Sequence, residues 1–85
     1  MIYKINYMEI KENTFNHGYN CFFKHKGKQY YADVAFTIDH GNECMIFPAK
    51  DNKVTDWGDL YAKTGIPVSE ESLRECIKEF IDSLE

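Results

Sequence analysis

The chain has 85 residues, enough for one domain with one modest core and too few for two. Hydrophobic residues make up 44 % and charged residues 28 %, an ordinary globular balance, and no apolar run approaches the roughly 18 residues of a membrane span. The net charge is −4, and Arg74 is the only Arg among ten basic residues, which disfavours bidentate reading of phosphate or guanine.

The acidity belongs to one stretch. Residues 1–68 hold eight Lys and eight acidic residues, whereas residues 69–85 hold six acidic residues against Arg74 and Lys78. Three cysteines, Cys21, Cys44 and Cys76, are too few and odd in number for a disulfide framework. With no basic and apolar leader at the N-terminus, these features set a cytoplasmic expectation.

In chain order, residues 2–11 (IYKINYMEIK) have apolar side chains on both faces and read as a first strand. The stretch 12–18 carries Asn13, Asn16 and Gly18 and reads as a loop. Tyr19–His25 is a second strand with Tyr19, Cys21 and Phe23 on one face. Lys28–Ile38 alternates over its whole length, placing Tyr30, Ala32, Val34, Phe36 and Ile38 on a core face. A two-residue turn at Lys26-Gly27 would set Tyr19 opposite Val34, Cys21 opposite Ala32 and Phe23 opposite Tyr30. Turn and pattern then agree on one register. Phe22 beside Tyr31 is the exception on the otherwise polar outer face.

Turn residues at 39–42 lead to a fourth strand, Glu43–Phe47, ending at Pro48 in a position that suits an edge. Trp57, Leu60 and Tyr61 at i, i+3 and i+4 predict a helical turn over about 56–63, with Trp57 plugging the open end of the core; an exposed Trp57 would instead suggest a binding hot spot. Ser69 then caps a helix over about 70–84, and Leu73, Cys76, Ile77, Phe80, Ile81 and Leu84 form its apolar stripe. The expected fold is a single α+β domain over residues 1–85. It comprises a four-stranded antiparallel β-meander over about 2–48 with a C-terminal amphipathic helix packed on one face.

Candidate chemistry is sparse. Cys21-x3-His25 and His40-x3-Cys44 carry zinc-ligand types, but residues four apart on a strand lie about 13 Å apart, too far to share an ion. Counting along the third strand also sets Cys44 near Ile38, about six residues from the level of Cys21. No metal site and no cofactor is expected. Asp33 and Asp39 are about 20 Å apart on one strand and cannot act as a carboxylate pair. No Gly-rich phosphate loop, nucleophile elbow or H-E-x-x-H is present, so neither a zinc-dependent nor a thiol enzyme is favoured. His17, His40 and Cys44 receive no role.

Two binding surfaces remain. Glu71, Glu75, Glu79 and Asp82 recur at helical spacing and line up as an acidic ridge that suits a partner protein with a basic surface. Lys24, Lys26 and Lys28 cluster at the first hairpin beside Phe22 and Tyr31, a combination that could stack single-stranded nucleic acid. The favoured expectation is a non-catalytic protein-binding module, of the kind found among acidic inhibitors and accessory proteins of phages and mobile elements. A homodimer through a sheet edge is compatible with it, and a membrane role is not expected.

Overall fold

The computed structural model describes residues 11–13 and 18–85. Six strands, β1 (Lys11–Asn13), β2 (Gly18–His25), β3 (Lys28–Thr37), β4 (Gly41–Lys50), β5 (Lys53–Val54) and β6 (Tyr61–Thr64), precede one helix, α1 (Glu70–Leu84). The sheet is antiparallel in the order β1-β2-β3-β4-β5, and β6 pairs with the same outer edge of β4 as β5. The protein is thus an α+β domain with a C-terminal helix packed on one sheet face. Among the described residues no helix is long and apolar enough to cross a membrane.

The first hairpin follows its sequence pattern. Lys26 and Gly27 both take positive φ, 51° and 81°, the geometry of a two-residue turn whose twist matches the strands. The register is the expected one: Tyr19 meets Val34, Cys21 meets Ala32 and Phe23 meets Tyr30. Gly18 permits close pairing at the start of β2, because a Cβ there would lie 2.2 Å from the Val34 carbonyl oxygen.

Helix α1 also begins as read. The Ser69 side chain accepts a hydrogen bond from Ser72 N at 3.1 Å, and Glu70 and Glu71 occupy the positive end of the helix dipole. Its stripe, Leu73, Cys76, Ile77, Phe80 and Ile81, is buried against Val34, Cys44 and Ile46 of the sheet. Phe80 is the aromatic keystone, meeting Tyr30 edge-on at 5.1 Å and Phe23 at 6.3 Å.

Several expectations are corrected. The predicted first strand at 2–10 lies outside the described residues, while Lys11–Asn13, read largely as loop, pairs with β2. The helical turn over 56–63 does not form; Tyr61–Thr64 is a strand. Backbone carbonyls on the outer edge of β4 need donors, and Leu60 N supplies Ile46 O at 2.7 Å while Gly65 N supplies Asn42 O at 3.0 Å. That pairing outweighs a local helical pattern already weakened by Gly58.

Strand β4 runs past Pro48 to Lys50 and is interior rather than an edge. Pro48 is tolerated because its carbonyl and ring nitrogen point to the same side, at the gap between β6 and β5. Thr55 N donates to that carbonyl at 3.0 Å. Finally, the apolar face of β3 is buried only through Val34. Phe36 and Ile38 are exposed, Ile38 at 96 %, because a 15-residue helix spans about 22 Å and does not reach the far end of the sheet.

Candidate functional site

The sheet face opposite the helix carries a continuous row of rings. Phe22, Tyr31 and Phe47 lie level on β2, β3 and β4. Phe22 sits 5.0 Å from Tyr31, Tyr31 stacks on Phe47 at 6.3 Å, and Trp57 meets Phe47 edge-on at 5.1 Å. Phe47 is buried, Phe22 and Tyr31 are half-buried, and Trp57 is 70 % exposed. Trp57 therefore does not plug the core, which ends on the other side of the sheet.

The loop presenting Trp57 is held at three points. Thr55 N and Leu60 N donate to Pro48 O and Ile46 O of β4. Between them Asp56 Oδ1 accepts from Gly58 N at 2.9 Å, an Asx turn that fixes the backbone around Trp57. Asp56, Asp59 and Leu60 are exposed beside the indole. Sequence reasoning identified Phe22 and Tyr31 and allowed that an exposed Trp57 would suggest a binding hot spot, but it missed Phe47 and the row that joins them. The missing signal was the tight turn at 38–40, whose register sets Phe47 opposite Tyr31.

The acidic ridge is divided by the fold. Glu71, Glu75 and Asp82 are exposed. Glu79 is engaged within the protein: Lys63 Nζ reaches its two oxygens at 2.8 and 2.7 Å, and the Tyr61 hydroxyl donates at 3.0 Å. The Lys63 hydrogen bonds hold the Glu79 carboxyl below the usual carboxylate range. At the end of the helix, Glu85 accepts from Lys26 Nζ at 2.8 Å and lies 3.2 Å from His25 Nε2, off the line of a hydrogen bond. Lys26 draws the Glu85 carboxyl below its ordinary value. No basic residue stands in the last turn of α1, so the hairpin supplies the cation that the helix dipole needs there.

The lysine hairpin is divided as well. Lys24 shares the outer face with Phe22 and Tyr31, one rung further along. Lys28, opposite His25, points to the helix side, and Lys26 holds Glu85. Of the metal-type residues, Cys21 and Cys44 are closer than the sequence count suggested. The tight turn at 38–40 sets Cys44 opposite Val34, two residues along β3 from Ala32. Both thiols are buried in the core with Cys76, whereas His25 and His40 stand at opposite ends of the sheet. Among the described residues no group of three or more His, Cys, Asp and Glu could hold a metal ion. Burial pushes the Cys21 thiol up to about 12, and hydrogen bonding to Cys76 together with burial raises that of Cys44. Neither Cys21 nor Cys44 is therefore an activated thiolate.

A carboxylate pair not foreseen from the sequence lies on the outer face. Asp33 and Glu43 are diagonal neighbours on β3 and β4, and burial and Glu43 hold the Asp33 carboxyl above its ordinary value. Comparison with protein-family models, with curated proteins and with solved structures finds no match to this chain.

Proposed function

We propose that the protein is a small non-catalytic binding module that recognises a basic protein segment through the Trp57 loop. The observation that carries this reading is the exposure of Trp57 on a loop fixed by hydrogen bonds, between Asp56 and Asp59. Tryptophan is over-represented among residues that dominate interface energetics, and it contributes most where its surroundings are already ordered. The flanking carboxylates favour a cationic partner, and Tyr31 and Phe22 extend the ring surface across the sheet. Glu71, Glu75 and Asp82 add to the negative field without being central to it.

The nucleic-acid reading takes second place. Lys26 already holds Glu85, and Lys28 lies on the other face from Phe22 and Tyr31. The test is affinity capture from the native cell with wild type, Trp57→Ala, Asp56→Asn/Asp59→Asn and Glu71→Gln/Glu75→Gln baits. A basic partner released by salt and lost with Trp57→Ala, at a cost of about 2 kcal/mol or more, is expected. Capture that survives Trp57→Ala but is lost with Glu71→Gln/Glu75→Gln moves the contact to the helix and removes this proposal.

A further inference from the structure

At the hairpin end of the sheet, one rung collects three lysines and a histidine. His25 pairs with Lys28 across the first turn, and Lys50 pairs with Lys53 across the second, where Asp51 and Asn52 take φ of 53° and 62°. Because Gln29 pairs with Ala49, the next residues along, Lys28 and Lys50, meet at the same level. His25, Lys28, Lys50 and Lys53 thus form a row across four strands, about 14 Å long, all on the helix side of the sheet. Like charges placed directly opposite one another destabilise a sheet, so this arrangement works against the fold unless an anion lies along it.

One anion already does. The Glu85 carboxylate sits at the His25 end of the row and is shared with Lys26. Among the described residues, Lys24, Lys28, Lys50 and Lys53 have no ion-pair partner. Beside Lys28 and Lys50, the middle of the row, is an open cleft of about 600 Å³, lined also by Tyr30 and Pro48, by Lys24 from the opposite face of the sheet, and by the carboxylate residue Asp51. The two turns that frame it are locked together. Gln29 Nε2 donates to Asn52 Oδ1 at 2.7 Å, and Asn52 N donates to Gln29 Oε1 at 2.8 Å. The volume is in the range of small-molecule sites.

We infer that this cleft binds a small ligand carrying two or more phosphates, whose charge lies along Lys28 and Lys50 as that of Glu85 lies at the His25 end of the row. Lysine ammonium groups on flexible stems suit a multiply charged phosphate chain, and the Tyr30–Pro48 wall offers a surface for an attached ring. The site is separate from the Trp57 loop and stands or falls without it.

Isothermal titration calorimetry of the full chain at low salt tests it, with tripolyphosphate, a nucleoside triphosphate and a single-stranded oligonucleotide as probes. Saturable one-to-one binding of either phosphate compound is expected, and a tighter nucleoside triphosphate would assign the ring wall a part. Lys28→Gln/Lys50→Gln should weaken it about tenfold, Glu85→Gln should tighten it by removing the internal competitor, and Trp57→Ala should leave it unchanged. All four positions are surface changes, and matching circular dichroism and thermal melts confirm that the variants fold. No saturable binding, binding that neither lysine nor Glu85 substitution alters, or binding of the oligonucleotide alone would overturn the inference.

Discussion

Asp33 sits on the outer face of β3 with Oδ1 buried and without a hydrogen-bond partner. Burial first, and Glu43 second, raise its folded-state pKa. The unfolded chain then loses this proton near pH 4, before the folded chain does, so stability falls as pH rises through that window and stays lower above it. Below about pH 4 both states are protonated and the penalty is absent. Asp33→Asn should therefore stabilise at neutral pH by on the order of 1 kcal/mol, a Tm gain of a few degrees. The gain over wild type should fade as melts are repeated toward pH 4; a gain independent of pH would assign it to shape instead of charge. Tyr31, beside Asp33, is pushed up to about 12 by burial and by that carboxylate, so its ring stays neutral across the same range.

At the scale of elements, β6 joins the core through Tyr61, which meets Phe80 at 6.1 Å, and is otherwise held by strand pairing and polar contacts. Tyr61 and Lys63 both reach Glu79, and Ala62 and Thr64 are exposed. Glu79→Gln should speed hydrogen exchange at the amides of Tyr61–Thr64 while leaving the buried half of α1 unchanged; equal acceleration of both would show that they open as one unit. The same strand marks where sequence reasoning ended. Strands β2 and β3 and helix α1 were legible because each buries one face, so period two and period 3.6 appear in the residues themselves. Strand β6 was not, since Trp57, Leu60 and Tyr61 imitate helical spacing and the reason for pairing lies in the β4 carbonyls, distant in sequence. The half of the aromatic row on β2 and β3 was legible for the same reason that their register was. The places of Phe47 and Trp57 in the row were not, because the turn residues 39–42 suggested a longer loop and so a β4 register displaced from the one that sets Phe47 opposite Tyr31. The pairing of Glu85 with Lys26, 59 residues apart, has no local signature at all.

At the scale of the whole molecule, the described residues are held by one seam between sheet and helix, and all three thiols lie in it. No local fluctuation of a turn or strand edge uncovers Cys44 or Cys76, which are among the most fully buried side chains. Native-state labelling with an aromatic disulfide reagent should therefore be at least about 10³-fold slower than in denaturant, with Cys44 and Cys76 reacting at one rate set by global opening. A thiol that labels much faster than the other would reveal sub-global opening of the helix. The charge distribution is also a whole-molecule property. The net −4 conceals a lysine-rich sheet end whose only described ion pairs are those made by Glu85. A single net value therefore describes neither end of the protein.

The anchoring of the Trp57 loop has a consequence for how this fold can diversify. Its two ends are tied to the carbonyls of Pro48 and Ile46 through main-chain donors, which any residue but proline can supply. The side chains between them contribute nothing to the seam. Residues 56–59 can therefore be varied as a cassette on the frame of sheet and helix, provided that a side chain in the place of Trp57 still covers Phe47. The recognition loop and the sheet–helix seam are written in different parts of the chain, and Phe47 is where they meet.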